Sequence, residues 1–260
     1  MDIIDCTDKV NAIAKIHTMM EILYDSLVYR VAWKDVEESA KFKDFYRKFS
    51  DVLYGYIGYS QAGQDLFVTT FYSNKKNGYF VEIGASDGIT NSNTFVLEEK
   101  YDWKGICIEP NSEFEKLINN RKCLCVNACL SDRVEEIDFL EDGNPVAKGL
   151  SGIVKYLGTY KPEGTNYKLT TTRFLDVLIE HNAPNLIDYL SIDTEGSEYI
   201  ILKDFPFEIY RFGVITVEHN SEKEKRSDLY NLLTSNNYLR VLESPLDDFY
   251  VHMDFCKAKV

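Results

Sequence analysis

The sequence predicts an α/β fold built on a mostly parallel sheet with helices on both faces. Three observations carry this. From residue 60 onward, short apolar runs alternate with stretches of helical character, the order expected of a parallel sheet. The runs are apolar at successive positions rather than at every second one, as strands covered on both faces require. Each run also ends in polar residues at its carboxyl end.

Gly78 to Gly84 forms the first expected strand, and Trp103 to Ile108 the second, ending at Glu109-Pro110. Cys123 to Val126 is the third, ending at Asn127-Ala128, and Ile187 to Ile192 the fourth, ending at Asp193. Gly213 to Val217 is the fifth, ending at Glu218-His219-Asn220. Helices are expected near 92–99, 112–119, 173–182, 197–203 and 223–236. Tyr238 to Leu242 and Phe249 to Met253, joined by Ser-Pro-Leu-Asp-Asp, read as an antiparallel hairpin at one edge of the sheet. Residues 141–170 lack periodicity and hold five glycines and two prolines, which predicts a long loop acting as a lid.

Residues 8–57 read differently. Val10, Ile13, Ala14, Ile16, Met20, Leu23, Leu27 and Val28 recur at three- and four-residue steps, an amphipathic helical pattern. A second run interleaves Phe42, Phe45, Phe49 and Leu53 with Lys and Asp. The chain therefore divides into an N-terminal helical extension or cap, 1–58, and a larger unit, 59–260. The extension suits a dimer interface, a glycan-binding cap or a link to a further glycan-processing domain.

With 260 residues, 45% hydrophobic and 13% aromatic, and a mean hydropathy of -0.28, the chain is neither disordered nor fibrous. No apolar stretch is long enough to span a membrane. Met1-Asp2-Ile3-Ile4-Asp5 does not open a secretion signal. A net charge of -13 disfavours nucleic acid and anionic membranes and suits a neutral or cationic ligand. Cys123, Cys125 and Cys129 have no matching ligand pair at zinc-site spacing, so they read as ordinary strand thiols. The expected compartment is the cytoplasm.

In open parallel sheets, ligands bind beyond the carboxyl ends of the strands. Glu82, Glu109, Asn127, Asp193, Glu218 and His219 converge there. The first turn, Glu82-Ile83-Gly84-Ala85-Ser86-Asp87-Gly88, lacks the leading G-x-G of a dinucleotide loop and places a carboxylate where a pyrophosphate would be repelled. Glu109 can accept hydrogen bonds from both hydroxyls of a ribose, and Asn127-Ala128 falls at the adenine edge. An adenosyl ligand without phosphates and with a sulfonium fits this set: S-adenosylmethionine.

The sequence resembles the FkbM family of S-adenosylmethionine-dependent methyltransferases over residues 59 to about 220. The resemblance rests on Ser60-Gln61-Ala62-Gly63-Gln64-Asp65, Val81 to Gly88, Ser92-Asn93-Thr94 and Leu97-Glu98. It continues through Gly105 to Pro110 and Asp188 to Glu198. It implies a Rossmann-like class I methyltransferase fold with a seven-stranded sheet, and O-methylation of sugars or other hydroxylated compounds. It also implies that Gln61 and Gln64 border the cofactor. Ala85, Ser86, Asp87 and Pro110 belong to the matched loops. Asn93 and Thr94 either cap the following helix or touch the methionine carboxylate.

Methyl transfer needs an aligned acceptor and a destination for its proton. Two routes are open on this rim. His219 serves as general base, oriented by Asp193 or Glu218; or Asp193 and Glu218 hold Mg²⁺ or Mn²⁺ on the acceptor hydroxyl. Of the two acids that follow Asp193, Glu195 is expected to face the acceptor and Glu198 to serve the helix start. The acceptor is expected to be a sugar or glycan hydroxyl. The alternatives are a polyketide or lipid alcohol, or a binding module that keeps the fold without the chemistry.

Overall fold

The computed structural model describes residues 59–144, 149–158, 161–244 and 246–256. The helical extension expected over 1–58 lies outside them. After a helix α1 (Gln64–Phe71), strand β1 (Tyr79–Ile83), helix α2 (Phe95–Tyr101), strand β2 (Lys104–Ile108), helix α3 (Phe114–Asn120) and strand β3 (Leu124–Val126) follow in order. Strands β4 (Cys129–Ser131), β5 (Glu136–Asp142), β6 (Gly152–Ile153) and β7 (Gly164–Arg173) precede helix α4 (Phe174–Glu180). The chain continues through β8 (Leu186–Ile192), α5 (Glu198–Leu202), β9 (Arg211–Glu218), α6 (Lys223–Ser235), β10 (Tyr238–Glu243), β11 (Asp247–His252) and α7 (Met253–Cys256).

The main sheet has seven strands in the order β10-β11-β9-β8-β1-β2-β3. Its core is parallel from β9 through β3. Along β1, Phe80 packs into one apolar cluster with Tyr189 and Phe249, while Val81 packs into the other with Leu190 and Phe212. Successive side chains point to opposite faces, so continuous apolar runs cover both sides. The expected hairpin is present. Its second strand, β11, lies between β9 and β10 and runs antiparallel to both, which places Asp247 opposite Glu218.

The expectation that 141–170 is a long loop throughout requires correction. The two ends of that segment, and Gly152–Ile153 within it, belong to a second, four-stranded sheet ordered β4-β7-β5-β6, with Glu136 to Asp142 paired antiparallel to Gly164 to Thr170. The half-solvated β7, Gly164-Thr-Asn-Tyr-Lys-Leu-Thr-Thr-Thr-Arg173, buries little and shows no apolar run. Ladder hydrogen bonds and cross-strand pairs hold it, and these leave little hydrophobic signature.

The sheet order reverses at β1, whose neighbours are β2 and β8. The ends of these strands face a common space beyond the sheet. Among the described residues, no helix is long and apolar enough to cross a membrane.

Candidate active site

A cleft of about 1110 Å³ opens beyond the carboxyl ends of β1, β2, β8 and β9, and residues of the second sheet complete its wall. Of the residues singled out in the sequence, Gln61, Glu82, Gly84, Ala85, Ser86, Asp87, Asn93, Glu109, Pro110, Ala128, Asp193, Glu195 and Glu218 line it.

The floor is the turn after β1. Gly84 has φ +83°, and a Cβ there would collide with the Asp193 carbonyl oxygen. Only glycine combines this left-handed backbone with so close an approach. The Asp193 N–H donates to Ile83 O (3.0 Å) and the Gly84 N–H to Ile108 O (3.0 Å), so three strand ends are tied together under the cleft. Asp87 Oδ1 accepts from the Ile89 and Thr90 N–H groups (2.9 and 2.7 Å) and fixes the far side of the turn.

Glu109 is buried at 4% exposure. One carboxylate oxygen accepts from the Ser86 N–H (2.8 Å), the other from the Asn111 N–H (3.1 Å). Each oxygen keeps a further acceptor site. Burial pushes its pKa up to about 7, opposed by those two amides. Asn127 does not line the cleft; its Nδ2 donates to Glu109 O (2.8 Å) and fixes the strand end.

Glu82 reaches the cleft wall, but its carboxylate is heavily used. It accepts from Ser92 Oγ (3.0 Å), the Asn93 N–H (2.6 Å), Thr94 Oγ1 (2.6 Å) and Arg121 Nη1 (3.2 Å). Thr94 is thus bound into this network and does not cap α2 through its side chain, while Ser92 Oγ also accepts from the Phe95 N–H (3.1 Å) at the start of α2. Gln64 accepts from the Ala62 N–H (2.8 Å) and hydrogen-bonds Asp247, away from the lining.

On the opposite wall, Asn220 Nδ2 donates to both Glu195 Oε2 (3.1 Å) and Glu218 Oε2 (2.8 Å), while Glu218 and Asp193 share a side-chain hydrogen bond. Burial, then the neighbouring Asp193 and Glu198 carboxylates, raises Glu195 to about 8. Burial, with Glu198 and Glu82 nearby, raises Asp193 to about 6, and Glu218 also lies well above its ordinary value for the same kind of reason. Glu198 Oε1 accepts from Thr194 N–H, Thr194 Oγ1 and Gly196 N–H (2.8, 2.9 and 3.0 Å), closing the turn before α5. Asp193, Glu198 and Glu218 each bring an oxygen to within 4.8 Å of the others. That all-carboxylate set suits a hard divalent cation.

His219 stands apart from these acids. It is 2% exposed and does not line the cleft. Its Nδ1 accepts from the Ser221 N–H (3.1 Å), and its Nε2 lies 3.6 Å from Asp248. The rim predicted from sequence thus brings Asp193, Glu195 and Glu218 together without the imidazole.

Sequence reasoning passed over Asn220 as a bridge between carboxyls, and over Asp247, a buried acid that interacts with Asp193 across β9. It also missed Arg121, which lies far from the glycine turn in sequence. The local signal for Asn220 is its place among polar residues at a strand end; Arg121 has none.

A model of the methyltransferase FkbM domain matches residues 82–240. Comparison with curated proteins returns no match.

Proposed function

Because the chain belongs to the FkbM methyltransferase domain family, we propose that it transfers a methyl group from S-adenosylmethionine to a hydroxyl of a sugar or glycan. The observation that carries this reading is one cleft with two chemically different walls: a glycine turn with Glu109, and the carboxyl group of Asp193, Glu195 and Glu218. On the first wall, Glu109 receives the ribose hydroxyls, Ala85, Ser86 and Asp87 border the donor, and Pro110 and Ala128 flank the base. Gln61 and Asn93 serve the methionyl end. An acidic wall around a sulfonium is electrostatically consistent.

On the second wall, in-line attack places the acceptor oxygen against the methyl group. Its proton passes to a carboxylate of the Asp193, Glu195 and Glu218 group. The raised value near 6 for Asp193 leaves it ionised and ready to accept a proton around neutral pH, whereas Glu195, near 8, holds its own. Asp193, Glu218 and Glu198 would hold Mg²⁺ or Mn²⁺. Such an ion, when bound, lowers the pKa of a coordinated hydroxyl. His219 supports the strand end from behind.

Calorimetry with S-adenosylhomocysteine and with NAD tests the donor assignment. Binding of the first and not the second supports it; tight NAD binding with no response to S-adenosylhomocysteine overturns it.

A further inference from the structure

Arg121, at the end of α3, has a side chain with 0% exposure and no direct access to the cleft. Its Nε donates to Glu98 (2.5 Å), its Nη2 to Thr94 Oγ1 (2.9 Å), and its Nη1 to Glu82, Ser92 Oγ and the Gly88 carbonyl (each 3.2 Å). The guanidinium also stacks over the Phe80 and Phe95 rings, 5.4 and 5.8 Å from their centroids. Two of these five contacts reach the two ends of the glycine turn, at Glu82 and Gly88, and three reach Ser92, Thr94 and Glu98 after it, more than a charge pair needs. A buried guanidinium left unpaired would be costly, so the network forms as a unit.

Its output is Asn93. Glu82 Oε1 accepts the Asn93 N–H (2.6 Å), and Asn93 Nδ2 donates to Ser191 Oγ (2.8 Å). The side chain is thereby held from two sides. Its Oδ1 is buried and has no hydrogen-bond partner among the described residues, although Asn93 itself is 7% exposed and lines the cleft. A buried acceptor without a donor costs free energy until something supplies one.

We propose that Arg121 is a positioning residue that acts through Glu82 to hold the Asn93 amide, whose Oδ1 accepts a hydrogen bond from the ammonium end of the methyl donor. This rests on the donor assignment made above. The positive charge of Arg121 balances Glu82, so the carboxylate shapes the turn, and the neutral Asn93 oxygen meets the ligand.

Arg121→Met and Asn93→Ala are compared with Leu233→Ala, a buried α6 change far from the turn, by thermal melting and by S-adenosylhomocysteine calorimetry. Arg121→Met and Asn93→Ala should each weaken binding about tenfold or more, with little additional loss when combined, because the two act along one path. Leu233→Ala should leave affinity unchanged even where its melting temperature falls as far. If Arg121→Met does not fold, Glu98→Gln takes its place, with a smaller loss in the same direction. A folded Arg121 or Glu98 variant with wild-type affinity, or losses that simply add to that of Asn93→Ala, overturns the proposal. Wild-type protein that binds no S-adenosylhomocysteine removes the donor assignment itself, a separate result read before any variant is compared.

Discussion

Glu218 and His219 are consecutive in sequence yet serve different surroundings at the end of β9. Glu218 lines the cleft and shares Asn220 with Glu195, whereas His219 is directed at Asp248 on the adjacent strand, with Nε2 3.6 Å away. Strand geometry separates them, because neighbouring side chains leave a strand on opposite faces. Glu218→Gln and Asp193→Asn should therefore each reduce methyl transfer by about 10²-fold or more, the scale of lost acid–base assistance. His219→Asn should stay within about tenfold of wild type. Initial rates at saturating donor check this, and a His219 loss equal to that of Glu218 would return the histidine to the proton path.

Glu109 carries a separate expectation. Glu109→Ala should weaken S-adenosylhomocysteine binding by about 1.5–3 kcal/mol, the range for hydrogen bonds to a charged group. Titration calorimetry reads it directly. Unchanged affinity would detach the second strand end from the ligand.

Gly84→Ala should be among the most damaging single changes. The residue has φ +83° and no room for a Cβ beside the Asp193 carbonyl. Left-handed strain alone costs on the order of 1–3 kcal/mol, and the collision adds to it. Denaturant unfolding should show a lower midpoint, with donor binding lost in whatever fraction stays folded.

Stability should fall as pH rises from about 4.5 to 8. Glu109 and Asp247 sit near 7, Asp193 near 6 and Glu195 near 8, each pushed up first by burial. A folded-state value above the unfolded one means that the native protein holds more protons through this window, so stability declines with rising pH and levels off above the folded values. Asp248 has the opposite sign. Burial opposes its ionisation, but hydrogen bonds from Arg226 and Arg240, with His219 close by, hold it at about 2, so its contribution is lost only below about pH 4. Thermal melts of the ligand-free protein across pH 4.5–8.5 check the slope. A melting temperature that rises through neutrality would contradict the assigned directions.

Chelator separates the two ways of handling the acceptor proton. Loss of methyl transfer in chelator, restored by Mg²⁺ or Mn²⁺ but not in Glu218→Gln, would assign an ion to Asp193, Glu198 and Glu218. Full activity in chelator would assign the proton to the carboxyls alone.

The parallel strands were legible because apolar runs such as Ile106-Cys107-Ile108 and Phe212-Gly213-Val214-Ile215 are buried on both faces and their strands end in acids or amides. The turn at Gly84 was legible for the same reason: its glycine answers a local steric demand. Three features were not. The second sheet is written in Thr, Lys and Asn on the half-exposed β7, where backbone pairing rather than burial does the holding. His219 lies off the cleft, because adjacency to Glu218 in sequence does not give the two a shared face. Arg121 meets Glu82, Glu98 and Gly88 only in the folded chain, more than twenty residues away in sequence, and no spacing rule announces such a contact.

The central claim is a methyl transfer, and the most direct measurement is the movement of labelled methyl from S-adenosylmethionine to a panel of neutral sugars and glycans, with products analysed for the linked atom. Label should appear on oxygen of a sugar hydroxyl in wild-type protein and fall by about 10²-fold in Asp193→Asn. Label on nitrogen or carbon, or none on any sugar while a polyketide or lipid alcohol is methylated, would contradict it.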